Sequence, residues 1–481
     1  MEASPIQVHN AVGGEDRPAA ETFECRDPAD ARRVVSVASD SGPEDVDAAV
    51  AAATADTEWA DAPATNRAQV LEQAASILES RRQLIGETMT AEMGKPLPAA
   101  VNEVVRAAEN LRLYAGEALR LAGSTFPADP SGLVVSMLDP VGVVAVITPW
   151  NFPLTLSSRK IGPALAAGNR VVFKPSSMTP ATADHLGRAL LEAGVPGGAL
   201  QMIHGFGAGA LLVADERVAA VTFTGSTAVG RSIHAAVGLG RRVQLELGGN
   251  NPVVVLADSD LDHAAAVVAR SSFSLSGQAC TAAGRVLADA AIYEDLIQRV
   301  KKLAEELVVG PGDADGVDLG PLINEGAVQS MQAAVDDALA AGARLVTGGS
   351  RLHGHPFDHG SFYPPTVLAD VQPDMSLSCE EVFGPVIGFE SVSGIDEAID
   401  RANRTEYGLT SSVCTRDLAS AYRFAREMKA GIVRVNRPTV GTPINAPFGG
   451  IKLSGTGTHK EQLGPTVMDF YTQSRTVFIG T

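Results

Sequence analysis

Three side chains sit where covalent and acid–base chemistry could be done. Cys280 lies in Gly277-Gln278-Ala279-Cys280-Thr281, a turn of small residues. A thiol attacks as its thiolate, and helix-end amides near it would lower its pKa. Glu246 closes a predicted buried strand in Leu245-Glu246-Leu247-Gly248-Gly249. A carboxylate at such a strand end is withdrawn from water, and partial burial raises its pKa toward that of a general base. Asn151, in Pro149-Trp150-Asn151-Phe152-Pro153, follows another predicted strand. Its amide could donate to a developing oxyanion together with a backbone N–H. Each also has a plain structural reading: a buried cysteine, an ion-paired glutamate, a turn-capping asparagine. The nine histidines are scattered, and none sits in a motif that would make it a base for Cys280. That argues against a Cys–His hydrolase.

A second set of residues points to a nucleotide. Phe223-Thr224-Gly225-Ser226-Thr227-Ala228-Val229-Gly230 follows a predicted strand and opens a helix. Gly225 would let backbone approach a pyrophosphate, whose charge the helix N-terminus favours. The string lacks the GxGxxG spacing and is weak alone. Lys174 ends another strand in Phe173-Lys174-Pro175-Ser176-Ser177, where it could meet an adenosine ribose or phosphate.

These residues need a scaffold. Residues 1–40 read as irregular, with short strand candidates such as Arg33–Val37. From Pro43 to Glu117 the pattern is helical, with Val70, Leu71, Ala74, Ile77 and Leu78 at helical spacing in a helix over Gln69–Leu84, and another over Pro98–Leu121. Gly132–Asp139 and Val141–Ile147 read as strands. Strands at Arg170–Phe173, Leu200–Ile203, Val218–Phe223, Val243–Leu247 and Pro252–Leu256 then alternate with helices such as Ala181–Ala193 and Thr227–Val237. This alternation predicts βαβ units around a parallel sheet. A second alternating block follows Asp258, with helices over Asp260–Ser274, Tyr293–Leu307 and Gly326–Ala341 and a strand at Arg344–Thr347. The tail from Val467 to Ile479 reads as β-rich and apolar, and needs a cover that a partner subunit could supply.

Bulk properties narrow the setting. A chain of 481 residues fits two or three domains. A formal net charge of −18 disfavours nucleic acid and anionic membranes as partners. Cys25, Cys280, Cys379 and Cys414 are far apart and form no disulfide or zinc pattern. With no secretory signal and no membrane-length apolar run, a soluble, reducing, cytoplasmic setting is expected.

Together the motifs resemble the aldehyde dehydrogenase superfamily. Seven strings match in family order: Pro149–Pro153, Lys174–Pro175, Phe223–Thr227, Leu245–Gly249, Gly277–Cys280, Glu380–Pro385 and Pro447–Gly450. The resemblance implies an α/β fold: a Rossmann-type cofactor domain (1–122 and 144–250), an α/β catalytic domain (251–462) and a β oligomerisation flap (123–143 and 463–481). It implies a homodimer or homotetramer, NAD(P) as cofactor and no metal. Cys280 would be the nucleophile, Asn151 the oxyanion donor and Glu246 the base that activates water. Glu381 would bind the nicotinamide ribose with Phe383 beside the ring. Gly225 and Ser226 would hold the pyrophosphate, with Trp150 and Lys174 as further contacts. Glu461 resembles a second acid of a proton relay. Members that acylate coenzyme A typically lack the glutamate at 246, so its presence implies a free acid product.

Cofactor and substrate preferences rest on fewer residues. NAD-preferring members often carry Glu at position 177. Ser177 would not repel a 2′-phosphate, so NADP is expected, or use of both. Arg159, in Ser158-Arg159-Lys160, matches a carboxylate-binding arginine of succinate semialdehyde dehydrogenases. Val433 to Gly441 and Asn445 to Gly450 resemble the 2,5-dioxopentanoate (α-ketoglutarate semialdehyde) enzymes more closely. Ser274 stands where the succinate semialdehyde enzymes carry a second arginine, and Arg159 is not typical of the dioxopentanoate enzymes. The expected substrate is a short ω-oxo carboxylate. A neutral aldehyde walled by Phe448 and Phe273 is the alternative, and a non-redox cysteine hydrolase or acyl transferase is the rival from another class.

Overall fold

The strand Val143–Ile147 is a run of five apolar residues, and all five are buried. Val144 and Val146 pack with Leu71, Val104 and Leu111 on one face. Val143, Ala145 and Ile147 pack with Val46, Val50 and Leu212 on the other. Helices therefore cover both faces, which is what a continuously apolar strand requires. In the computed structural model, which describes residues 4–127, 132–457, 459, 461 and 465–480, this strand lies inside a seven-stranded sheet. The sheet order is Arg242–Glu246, Val218–Thr224, Val143–Ile147, Arg170–Lys174, Leu200–Met202, Asn10–Val12, Glu15–Arg17. Its first five strands are parallel and the last two antiparallel. Sequence order reverses between Val143–Ile147 and Val218–Thr224. That switch point leaves a crevice beyond the strand C-termini, where α/β sheets bind ligands.

The second seven-stranded sheet runs Arg344–Thr347, Thr366–Ala369, Val386–Val392, Ala283–Asp289, Asn251–Val255, Thr410–Cys414, Ile432–Val435. Only Arg344–Thr347 is antiparallel. The C-terminal ends of the first sheet carry Glu246, Lys174 and the Asn151 loop. The N-terminal ends of the second carry the loop of Cys280.

A small antiparallel sheet pairs Gly132–Pro140 with both Thr125–Phe126 and Thr472–Gly480. Met137, Phe478 and Ile479 on it are exposed. Another joins Ile6–Val8, Asp30–Asp40 and Glu21–Asp27.

Three expectations need correction. The first 40 residues are largely β, and Arg33–Val37 belongs to an eleven-residue strand, Asp30–Asp40. The helix expected over Gln69–Leu84 is two helices, Ala64–Ser80 and Arg82–Met93, with a break at Arg81 that lets Ile85 and Met89 reach the same core. The tail opens with a helix, Pro465–Tyr471, before its strand. Val467, Phe470 and Tyr471 are buried at helical spacing there.

Candidate active site

The Cys280 loop begins where the helix Leu261–Phe273 ends. Leu275 and Ser276 adopt left-handed φ values of 54° and 53°, and Gly277 follows at 69°. A Cβ on Gly277 would stand 2.1 Å from the Gly384 carbonyl oxygen, so only glycine fits there. The loop is held by side chains that sequence reasoning missed. Asn251 Nδ2 donates to the Cys280 carbonyl at 2.8 Å and to the Ala282 carbonyl at 2.7 Å. Buried Gln278 accepts from Ile323 N at 2.9 Å, and Ser276 Oγ donates to the Gly320 carbonyl at 2.8 Å. Asn251 opens a strand and Gln278 lies inside the cysteine motif, so polar residues in buried contexts were the available signal.

Asn151 is buried, and its Nδ2 donates to the Gln278 carbonyl at 3.0 Å. That bond ties the amide to the cysteine loop. The Asn151 carbonyl accepts from Lys95 Nζ at 2.9 Å. Lys95 is ion-paired with Glu103, both fully enclosed, and Glu103 also accepts from the Leu154 and Thr155 amides. Glu246 is buried, and its Oε2 accepts from Gly450 N at 3.1 Å.

Cys280, Asn151, Trp150, Gly225, Glu381 and Phe383 line one cleft with about 700 Å³ of empty space. No histidine lines it. The helix-end effect expected to acidify Cys280 is not what dominates. Burial pushes the thiol up, and the nearby carboxylates of Glu381, Glu461 and Glu246 push it further; only Arg159 opposes them. Both effects disfavour the thiolate.

Arg159 is buried, with its guanidinium 5.2 Å from the Phe448 ring centroid. Its Nε has no hydrogen-bond partner among the described residues. Phe273, expected as a second pocket wall, is instead fully buried in the core of the second sheet with Val253 and Phe389. It sits on the inward face of its helix. Lys160 and Glu461 form an enclosed pair at 3.6 Å, and Lys160 Nζ donates to Thr222 Oγ1 at 3.0 Å.

A larger groove of about 1400 Å³ adjoins the cleft at Trp150, Gly225 and Ser226, and runs past Lys174, Ser176 and Phe206. It fills the switch-point crevice. Burial pulls Lys174 down to about 8, against the opposing charge of Asp40. Ser176, not Ser177, stands on the groove wall; Ser177 Oγ and Thr224 Oγ1 are buried with no hydrogen-bond partner among the described residues. Trp150 and Phe383 meet edge to face at 5.8 Å. Glu381 accepts from Gly249 N at 3.0 Å, and burial raises it to about 7.

Residues 16–477 match the model of the aldehyde dehydrogenase family. The chain belongs to that family. It is similar to alpha-ketoglutarate semialdehyde dehydrogenase of Haloferax volcanii, with 40% identity over 98% of each chain. It is similar also to mitochondrial succinate-semialdehyde dehydrogenase of Arabidopsis thaliana, with 38% identity over 99% of this chain and 90% of that one. Among solved structures, the NAD+ complex of an aldehyde dehydrogenase from Bacillus cereus superposes with a TM-score of 0.94 at 33% identity, covering 98% and 96% of the two chains. The chain is thus an NAD(P)-dependent aldehyde oxidoreductase. As an aldehyde dehydrogenase it has a groove that fits its cofactor class. The crevice continues into the Cys280 cleft through Trp150, Gly225 and Ser226, and Thr224 on the wall of both carries a hydroxyl with no partner among the described residues. Among the described residues, no helix is long and apolar enough to cross a membrane, and no cluster of three or more His, Cys, Asp or Glu side chains could hold a metal.

Proposed function

We propose that this dehydrogenase oxidises a short ω-oxo carboxylate, such as 2,5-dioxopentanoate, to the dicarboxylate through a thioester on Cys280, with NADP preferred over NAD. The carrying observation is Arg159. It is a buried guanidinium with an unpartnered Nε among the described residues, braced on Phe448 and close enough to Cys280 for their charges to interact. A buried cation without a salt bridge is costly, and a substrate carboxylate would complete it.

The Cys280 thiol releases its proton to solvent as its sulfur adds to the aldehyde carbon, giving the anion of a thiohemiacetal. The Asn151 amide and the Cys280 N–H donate to the new oxyanion. When bound, the nicotinamide cofactor supplies the acceptor for the hydride whose loss leaves a thioester. Gly225 and Ser226 would hold its pyrophosphate, Glu381 its nicotinamide ribose, and Lys174 and Ser176 its adenosine end, with Ser177 just behind that wall; Trp150 and Phe383 would flank it. Glu246 takes a proton from the water that attacks the thioester. The carbon–sulfur bond then breaks, releasing the acid and the Cys280 thiol. Lys160 and Glu461 offer a buried route for that proton.

Ser177 supports NADP because it places no carboxylate against a 2′-phosphate. Met137, Phe478 and Ile479 form an uncovered apolar edge that a second copy would bury, supporting a homodimer or homotetramer. We take 1–122 with 144–250 as the cofactor domain, 251–462 as the catalytic domain, and 123–143 with 463–481 as the flap; 128–131 and 462–464 lie outside the described residues. A reducing cytoplasm would keep Cys280 usable.

The test is initial NADPH formation with 2,5-dioxopentanoate, succinate semialdehyde and a neutral aldehyde of similar length. A clear preference for the charged pair supports the reading. Equal or better rates with the neutral aldehyde make Arg159 structural and overturn it.

A further inference from the structure

Behind one wall of the Cys280 cleft lies a smaller cavity, with about 270 Å³ of empty space. Glu381 and Phe383 are the partition: each lines the cleft on one side and the cavity on the other. Glycines and alanines make up most of the remaining wall, and Glu381 is the one titratable side chain on it. The other polar side chain is that of Asn250. It is 2% exposed, and neither its Oδ1 nor its Nδ2 has a hydrogen-bond partner among the described residues.

The backbone makes a place for this amide. In the second sheet Asn251 pairs with Ala283 but Pro252 pairs with Arg285, so Gly284 is an extra residue in the ladder. A Cβ on Gly284 would stand 3.0 Å from Asn250 Oδ1, so a side chain there would crowd the amide. Gly249, the residue before Asn250, lines the same cavity and donates its N–H to Glu381 at 3.0 Å. Asn250 thus faces the space directly behind that carboxylate. A carboxamide buried this fully without a bond is costly, and water is the usual partner where there is room. This cavity has room for an ordered water, with an amide and a carboxylate to hold it. Burial raises Glu381 to about 7, and the Gly249 N–H opposes the rise. A second donor on the same carboxylate would also favour its ionised form.

We propose that Asn250 holds an ordered water that donates to the Glu381 carboxylate and so orients it for the nicotinamide ribose. Asn250 is then a positioning residue, reaching the cofactor only through that water and Glu381. This rests on the reading of Glu381 as the ribose ligand.

The experiment compares Asn250→Leu, Asn250→Ser and Glu381→Ala with the parent enzyme. Leucine matches the volume of asparagine and removes both polar atoms. Asn250→Leu should raise KM for NADP and for NAD alike, by about five- to tenfold, the size expected for losing one bond to a charged group. KM for the aldehyde should stay level and kcat should change less. Asn250→Ser keeps a hydroxyl and leaves space for a second water, so it should recover part of the loss. Unchanged cofactor KM values, with a melting temperature equal to the parent's or higher, would show that the amide is only an unsatisfied buried group and overturn the inference. A change confined to kcat, or to one of the two cofactors, overturns it as well. If Glu381→Ala raises both cofactor KM values and Asn250→Leu does not, this inference alone fails. If Glu381→Ala leaves them unchanged, the reading of Glu381 fails and this inference with it. Should the leucine variant fold poorly, a crystal structure of the parent enzyme with NADP decides. A water within hydrogen-bond reach of both Asn250 and Glu381 supports the proposal; a dry cavity, or a water that touches Asn250 alone, refutes it.

Discussion

Asn251 fixes the position of Cys280 through the backbone: its side-chain amide donates to the Cys280 carbonyl at 2.8 Å, while its Oδ1 accepts from Thr410 N at 3.1 Å. The proposed nucleophile is therefore tied to the second sheet through its backbone. Asn251→Ala should lower kcat on the order of a hundredfold, because small misplacements of a reacting atom cost about that much. Alkylation of Cys280 by iodoacetamide should slow or quicken along with it, while KM for the cofactor stays put. An unchanged kcat would mean the loop is held by Gln278 and Ser276 alone.

Glu246 is proposed to act after the thioester forms. Glu246→Gln keeps an acceptor for Gly450 N but removes the proton acceptor. Steady-state turnover should fall by about 10²–10⁴, the usual worth of a general base. In rapid mixing, one equivalent of reduced cofactor should still appear per site before the reaction stalls. A variant that loses this first burst as well would place Glu246 in the activation of Cys280 instead. The raised thiol makes that second role a real competitor, since its acidity is set against it by three carboxylates and burial.

Lys95 and Glu103 form an enclosed ion pair whose remaining bonds all go to the Asn151–Thr155 segment. Removing one partner strands a buried charge, at a cost of about 3–5 kcal/mol. Lys95→Met should therefore lower the melting temperature sharply, and the double variant Lys95→Met with Glu103→Leu should recover most of it. Neither should restore kcat for aldehyde oxidation or ester cleavage, because the Asn151 carbonyl has lost its anchor. Full activity in the double variant would show that the segment holds itself.

Much of this arrangement was legible in the chain, for identifiable reasons. Val143–Ile147 and Val253–Val255 are short apolar runs next to glycine or proline, and such runs have few alternatives to a buried strand. The roles suggested for Cys280, Asn151 and Glu246 come from unusual residues in unusual contexts; Cys280 and Asn151 line one cleft, and Glu246 stands behind it, near enough for its charge to act on the thiol. What was hidden depends on distant partners. Nothing near Arg81 marks the helix break, because it serves packing against a helix beginning at Leu97. Phe273 looked like a pocket wall because periodicity does not say which face of a helix looks inward. The rise in the thiol pKa comes first from burial, which only the folded loop provides, and then from Glu381 and Glu461, which are remote in sequence.

The adenosine end of the groove supports a prediction with two independent readouts. Lys174 is pulled by burial to about 8, so in the free enzyme it is charged below that pH and neutral above it. A 2′-phosphate needs the charged form, whereas a 2′-hydroxyl does not. KM for NADP should therefore climb as pH rises through about 8, while KM for NAD stays nearly level. Ser177→Glu would add a carboxylate three residues after the same lysine, behind Ser176 on the groove wall. It should repel the phosphate, accept from a free ribose hydroxyl, and shift the preference toward NAD by tenfold or so, about 1.4 kcal/mol. It should also flatten the NADP pH profile, because the lysine would then have a permanent partner and stay charged to higher pH. If the NADP to NAD ratio is unmoved and both profiles are level, neither Lys174 nor Ser177 touches the 2′ position.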